Sequence, residues 1–575
     1  MTVSSATSST SSSTSSTSST SSDTSSSTDD VTTTGTSTST SVDWTALITS
    51  EVNAKLAEAT TISTKITANE AKVSAYQTLQ SDLSTLASGL SSLSTSIVNS
   101  LATNVFATRS ATITSTGDVS ASSALSMTVD NGAATGDHTL QITQLAAAQK
   151  VMGTSQSSET SELGYSGTFT LGLSGGSTAS ITVNSTMTLQ DVVDAINAQT
   201  TTTDVQASIV QVSSGSYEMV LTGTEDAADI TYSSTSGDDI LNKLGVTGSS
   251  GSFSDVLQTA QSAEFTLDGI SMTRDTNDIS DVLSGVTFDL LQATPSGTTL
   301  DISIGTDTSQ ISSALQTFVT DYNTFRDAVI AQEATNSDGT ASSSAVLFGD
   351  GTMRDIMDQL QSALDTSVGG LSMSDLGLSF NDKNELELDT STLSDILSSN
   401  LSGVTTLLSA QTTTSSSQLS VVDTGTDPQS FTLDLTVDSS GNLSSASVGG
   451  DSSLFTVSGD TIVGKSGTIY AGMAFTYSGT TSQSITVTST SGIASQIYQI
   501  ANTNSSTTSG SLQTLISNLQ TTDDTLTQQV DDIDSAAATF KTQLETQYAN
   551  YQAAIESANN TLTYLKALLN SGSSS

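Results

Sequence analysis

The sequence predicts an α+β multidomain chain, with coiled-coil helices at both ends forming a stalk or leg and β-rich head domains inserted between them. Three observations predict it. Apolar residues step by four and three near both ends of the 575-residue chain, which is the spacing of a coiled-coil seam. The middle of the chain changes to period two, the spacing of half-buried strands. The first 41 residues are almost wholly Ser, Thr and Asp, too polar to offset the entropy of ordering them.

That opening stretch, 1–41, is expected to be a disordered tail. Order begins at "SVDWTALITSEVNAKL", and a helical pattern runs toward residue 101. Within it Leu79, Leu83, Leu86, Leu90, Leu93 and Ile97 form one seam. At the other end Leu526, Val530, Ile533, Ala537, Phe540 and Leu544 form another. One extra step of four reaches Tyr548, a stutter that locally unwinds a supercoil. The seam resumes at Tyr551, Ile555, Ala558, Leu562, Leu565 and Leu569, and neither proline nor glycine interrupts 511–570. A third stretch, Ile311, Leu315, Phe318, Tyr322, Phe325 and Val329, has the same spacing. Antiparallel pairing of the two ends would bury both terminal seams.

Between the helices, Leu300, Ile302 and Ile304 alternate with polar residues, as do Val286, Phe288 and Leu290, then Phe431, Leu433, Leu435 and Val437. Each set predicts a strand with one wet face. "SSGS" at 213–216 separates "VQASIVQV" from "YEMVLTG" and predicts a hairpin. "TLQDVVDAINAQ" at 188–199 predicts a short helix capped by Thr188, with Leu189, Val192, Val193 and Ile196 on one face. These patterns give terminal helices around β-rich middle domains; with the family resemblance set out below they imply 42–105 for N-terminal leg helices, 106–155 and 256–305 for two halves of a head domain, and 156–255 for an outer head domain. A leg helical region follows at 306–410, an inserted β domain at 411–492, a C-terminal coiled-coil helix at 493–570, and a disordered end at 571–575.

Composition excludes several functions. With 13 Lys and Arg against 58 Asp and Glu, the formal charge is −45. Such a polyanion repels nucleic acid and anionic membrane surfaces. There is no cysteine and a single histidine, His138, so no disulfide framework, thiolate metal site or His-rich zinc site arises. No apolar run is long enough to insert in a membrane. The opening residues lack the basic and apolar regions of a cleaved secretory signal, so the protein is expected to stay inside the cell or to leave it by another route.

One motif invites an enzyme reading. "GDTIVGKS" at 459–466 fits the nucleotide-binding pattern, with Gly459, Gly464, Lys465 and Ser466 in the named places. That pattern needs a helix after the loop, to aim its first-turn N–H groups at phosphate. Instead Ile469, Ala471, Met473, Phe475 and Tyr477 alternate at period two, which predicts a strand over 467–478 and makes "GKSG" a hairpin corner. "NSDGT" at 336–340 and "FGDGT" at 348–352 lack the acidic spacing and closing Glu of a calcium loop and are expected to be solvated turns. His138 is expected at a turn or surface, and Trp44 as a packing anchor. No paired carboxylates stand out as acid and base. The chain is therefore expected to be no enzyme and to need no cofactor or metal.

Several segments, in order, resemble the flagellar filament cap family (hook-associated protein 2, FliD). "VDWTALITSEV" is similar to the family's opening segment. "GDHTLQITQLAAAQK" at 136–150 resembles its most recognisable strand, with Gln144, Leu145, Ala146, Gln149 and Lys150 in the family pattern. "TLQDVVDAIN" followed by "VQASIV" is similar to the helix-then-strand motif of flagellar hook and cap heads. "ISDVLSGVTFDLLQAT" at 279–294, "FVTDYNTF" at 318–325, "GDGTMRDIMDQL" at 349–360, "SDLGLSFNDKNELELD" at 374–389 and "GIASQIYQIAN" at 492–502 follow in the family's order. The resemblance covers 42–570. The chain departs from it in its long Ser/Thr tail and over 411–491.

The resemblance implies a homo-oligomeric ring, usually a pentamer, at the distal tip of a growing flagellar filament, where it folds incoming flagellin. It implies contacts with flagellin, with the hook–filament junction protein and with an export chaperone. It also implies export through the flagellar type III apparatus, which suits a chain without a cleaved signal. Two other readings stay open: a tip-located adhesin binding host glycans or mucin, and a flagellin or hook-junction structural protein. The seams are thinner than a Leu/Ile zipper, with Ser81, Ser84, Ser88 and Ser94 beside one and Ala537, Ala558, Tyr548 and Tyr551 in the other. Legs built this way are expected to be weakly ordered alone and to order on contact with flagellin.

Overall fold

The computed structural model describes residues 43–94, 101–425 and 429–572. The described residues divide into two compact units, one of 43–63 with 527–572 and one within 64–526. Each is described by itself below. Two long helices, Trp44–Ser94 and Ser511–Gly572, contribute to both units.

In the larger unit, the first head core lies between two antiparallel sheets. The five-stranded sheet has the order Arg109–Ser115, Leu300–Thr306, Gly136–Gln144, Ala263–Leu267, Ile270–Arg274. The three-stranded sheet has the order Asp278–Leu283, Val286–Leu290, Leu125–Val129. Alternation puts Leu140, Ile142, Phe265, Phe288, Leu300 and Ile302 inside one apolar cluster, while Thr112, Ser303 and Asp137 register side by side on the wet face. One two-residue hairpin turns at Asp268 and Gly269, with φ of 52° and 79°, the left-handed pair that an Asp-Gly turn supplies at least strain. Asp268 accepts from the Thr139 N–H at 2.8 Å and from His138 Nδ1 at 2.8 Å. These bonds, His138 first, hold its carboxyl below the usual range.

The outer head also has two sheets. One has the order Asp255–Gln258, Lys150–Met152, Ser216–Gly223, Val205–Ser213, and the other Thr178–Val183, Gly167–Leu173, Ile230–Gly237. Between them packs the helix Leu189–Asn197, started by a reciprocal cap between Thr188 and Asp191. Its Leu189, Val192, Val193 and Ile196 are buried against Phe169, Leu171 and Leu221. The expected hairpin closes at the Ser213–Ser216 pair, with Gly215 at φ 74°.

Residues 411–490 form two further four-stranded sheets. One has the order Gln411–Thr414, Gln483–Thr490, Phe431–Val437, Leu443–Ser447, and the other Leu419–Thr424, Met473–Tyr477, Thr461–Gly464, Phe455–Ser458. Leu433, Ile462, Phe475, Ile485 and Val487 fill the space between them. Here one expectation is corrected: the strand expected over 467–478 begins only at Met473. Residues 465–472 are a loop that folds back until the Tyr470 carbonyl lies where a Cβ on Gly464 would stand. The loop is held by the Thr468 hydroxyl, which donates to the Lys465 carbonyl at 2.8 Å. The sequence alternation does not carry into burial here: Ile469 is exposed, Ala471 half-buried, and Tyr470, off the alternating set, is the buried residue of the loop.

The helical core gathers Thr308–Gln332, Gly351–Leu364, Thr390–Ser399, Leu401–Leu408 and Ile493–Ser505 with parts of both long helices. A second correction concerns the single helix expected over 493–570, which is two helices with a break at 506–510. A side chain at Gly510 would stand 2.5 and 2.6 Å from the carbonyls of Ser506 and Asn504, so glycine permits the tight connection. The "FGDGT" turn works as a helix cap, Asp350 accepting from Thr352 N–H at 2.8 Å and Met353 N–H at 3.2 Å.

Candidate functional site

In the smaller unit the two helical segments run antiparallel. Trp44 stacks on Tyr548 with ring centroids 4.9 Å apart. The Tyr548 hydroxyl donates to Glu51 Oε1 at 3.2 Å, and Lys55 Nζ lies 4.9 Å from the centre of the Phe540 ring. Desolvation, then the Glu51 carboxylate, push the Tyr548 phenol up. Ala59, Ile62, Ala537 and Leu544 are buried, whereas Val530, Ile533 and Phe540 are half-buried.

Beyond Tyr548 the burial of the same helix ends. Tyr551, Ile555, Leu562, Leu565 and Leu569 are exposed, from 47% at Tyr551 to 73% at Leu569. Ala558 is exposed with them, and so are Tyr564 and Leu568. Residues 549–570 hold one acid, Glu556, and one base, Lys566, in a chain of charge −45. The result is an uncharged apolar stripe on a helix face. Its available chemistry is burial against another apolar surface.

The larger unit treats its seam differently. Leu79, Leu83, Leu86, Leu90 and Leu93 are at most 2% exposed, and Ile97 lies outside the described residues. They pack with Ile311, Leu315, Phe318, Tyr322 and Ile497, and with Leu512 and Ile516 of the last helix. The third heptad-like stretch therefore belongs to a globular helical core and is buried throughout, from Ile311 to Val329. Polar ties fix the register within this unit: Asn69 Nδ2 to Asp523 Oδ1 at 2.7 Å, and Gln80 Nε2 to Gln513 Oε1 at 3.3 Å. The Tyr76 hydroxyl donates to Asp350 Oδ2 at 2.6 Å, and burial together with that carboxylate pushes the phenol up. Leu526 is half-buried.

Sequence reasoning missed a recurring device. Asn197 donates to the Ala207 carbonyl at 2.9 Å and accepts from its N–H at 2.8 Å. Asn323 does the same to Leu386, both bonds 2.8 Å. Asn277 does it to Ala146, at 3.0 and 2.8 Å. Each amide stands in for a neighbouring strand. The only sequence signal was an asparagine closing "DVVDAIN" shortly before a strand.

The nucleotide-like segment supplies no phosphate cradle. Thr461–Gly464 pairs antiparallel with Met473–Tyr477, so no helix N-terminus follows Lys465. Among the described residues no three His, Cys, Asp or Glu side chains gather as a metal site, and no helix is long and apolar enough to cross a membrane.

The family model described as "Flagellar hook-associated protein 2 C-terminus" matches residues 260–560, more than half of the chain. The chain belongs to the flagellar hook-associated protein 2 family. The N-terminal model of this filament cap family matches 40–149, and the "Flagellin hook IN motif" matches 168–225, which takes in the capped helix and the Asn197 clamp. The family is structural and non-enzymatic. The chain is 27% identical over 308 residues to the A-type flagellar hook-associated protein 2 of Pseudomonas aeruginosa, covering 50% of this chain and 64% of that one. It is 29% identical over 310 residues to the Escherichia coli K12 protein, covering 51% and 65%, and 35% identical over 148 residues to the Helicobacter pylori J99 protein, covering 25% and 21%. The chain thus spans less than two thirds of the length of these curated relatives. Among solved structures it is similar to the E. coli flagellar cap protein FliD D1-D2-D3 domains, with a TM-score of 0.46 and 23% identity over 78% of this chain and 99% of that one.

Proposed function

We propose that this protein is a filament cap: it forms a homo-oligomeric ring at the tip of the flagellar filament and promotes folding and polymerisation of exported flagellin. The observation that carries the reading is the family match over more than half of the chain. The geometry supports it as well. The last helix leaves an uncharged apolar stripe open from Tyr551 to Leu569, a surface suited to helical partners such as flagellin, the junction protein or an export chaperone. The seam residues of the smaller unit are proposed as interface residues on the same ground.

Deleting the gene tests the reading. The expected outcome is short or absent filaments and monomeric flagellin in the medium, both reversed by the wild-type gene. Normal filaments without leakage would overturn it and shift the weight to an adhesin.

A further inference from the structure

We propose that the four-stranded sheet of the outer head continues from copy to copy, with the open end of Val205–Ser213 on one chain receiving Asp255–Gln258 of the next. This rests on the ring reading above and names the surface through which the ring would form.

Both strands are edges of the same sheet. The first edge is closed over half its length. The Asn197 amide meets the Ala207 N–H and C=O, and the Thr200 hydroxyl donates to the Val205 carbonyl at 3.0 Å. These bonds show that Val205 and Ala207 turn their backbone groups away from the neighbouring strand. By the two-residue alternation of an antiparallel ladder, Ile209 and Gln211 turn theirs outward as well. No group among the described residues meets them. Val210 and Val212 stand on this open stretch, 43% and 49% exposed. An unprotected edge with apolar side chains is a template for another strand.

The opposite edge is its complement. Asp255–Gln258 pairs on one side only, with Lys150–Met152. Val256 and Leu257 are 41% and 52% exposed there, Leu257 being the extra residue of a bulge. Every neighbouring pair in the sheet is antiparallel, so across four strands the two edges run in opposite directions. Laying a second sheet beside the first in the same orientation therefore sets Asp255–Gln258 antiparallel to Val205–Ser213. Charge favours a second copy here over most other surfaces. "VQASIVQVS" carries no charge and "DVLQ" one acid, in a chain of −45, so two copies meet with little repulsion. Pairing two different edges is a heterologous contact, the kind that closes a ring.

Cross-linking tests the inference on the full chain. The protein has no cysteine, so a Val210→Cys/Leu257→Cys variant reacts only at the two edges. A flexible bis-maleimide should give a ladder of covalent dimers, trimers and larger species up to the ring number. Each single variant should stop at dimers. A double variant that sediments as rings yet yields no ladder would overturn the edge contact and leave the ring reading standing. A wild-type protein that sediments only as monomer would overturn both. As a second measure, Gln211→Pro removes one outward N–H without touching the ladder to the next strand. It should weaken self-association at least tenfold with circular dichroism unchanged, and undiminished association would overturn the proposal.

Discussion

Leu79–Leu93 and Tyr551–Leu569 carry the same four-and-three spacing, and the fold treats them in opposite ways. The first stretch is at most 2% exposed at its five leucines, and the second is about half exposed or more at its large side chains. Spacing therefore specifies an apolar stripe on a helix and leaves its partner unspecified. The first stretch finds its partners within the chain, in Phe318, Tyr322 and Ile497 among others. Gly89 helps, since a Cβ there would stand 2.4 Å from Asp321 Oδ2. Burial pushes the Asp321 carboxyl up. The second stretch has no such neighbours among the described residues.

The largest expected effect breaks or upholds this contrast directly. Leu86→Ala removes a fully buried side chain from the helical core and should cost about 3–4 kcal/mol, since tight packing prevents the site from collapsing. Urea unfolding of the full chain checks it. A cost under about 1 kcal/mol would mean that the seam is looser than its burial indicates.

A smaller effect separates the two stretches by pH. Asp389 caps the helix Thr390–Ser399, whose Leu393 and Leu397 belong to the same core as Leu86. Hydrogen bonds from the Ser391 and Thr392 hydroxyls, at 2.5 and 2.9 Å, and from the Ser391 N–H at 2.9 Å pull its carboxyl down to about 2. The folded state thus binds this proton less readily than the unfolded chain. The cap adds stability above the ordinary carboxylate range, and that stability is lost as pH falls toward about 2. Asp389→Asn should unfold more readily than wild type at pH 7, with the gap closing as the pH approaches about 2. A gap that persists unchanged in acid would show that the cap works through geometry alone.

Much of the fold was legible because it rests on local periodicity. Leu300, Ile302 and Ile304 alternate in sequence and all face one core. Thr188 announced its helix, and "SSGS" its hairpin. The rest depended on contacts between distant residues. The helix break at 506–510 needed Gly510 to be read against carbonyls preceding it. The false strand at 467–472 came from extending the true alternation of Met473, Phe475 and Tyr477 backward through Ile469 and Ala471, residues that the fold leaves outside the core. The amide clamps by Asn197, Asn277 and Asn323 join positions 10 to 131 residues apart, and no local pattern encodes them. The apolar stripe on the last helix was visible as spacing. Its exposure was not, because spacing alone cannot say which stripe lacks a partner.

The smallest effect on stability should be the most informative about assembly. Leu562 and Leu565 are half exposed, so replacing both with serine removes little buried area, and the unfolding free energy should move by no more than about 0.5 kcal/mol. If the stripe existed only to hold the helix together, filament growth should be equally unmoved. If it is the face that partners cover, Leu562→Ser/Leu565→Ser should shorten filaments and leak flagellin while the purified protein unfolds like wild type. The opposite pairing, a destabilised chain with normal filaments, would mean that the stripe is covered within the chain, and the contrast with Leu79–Leu93 would disappear. Burial and function are separated only where the two readouts disagree, and this stretch of helix is where they should disagree most.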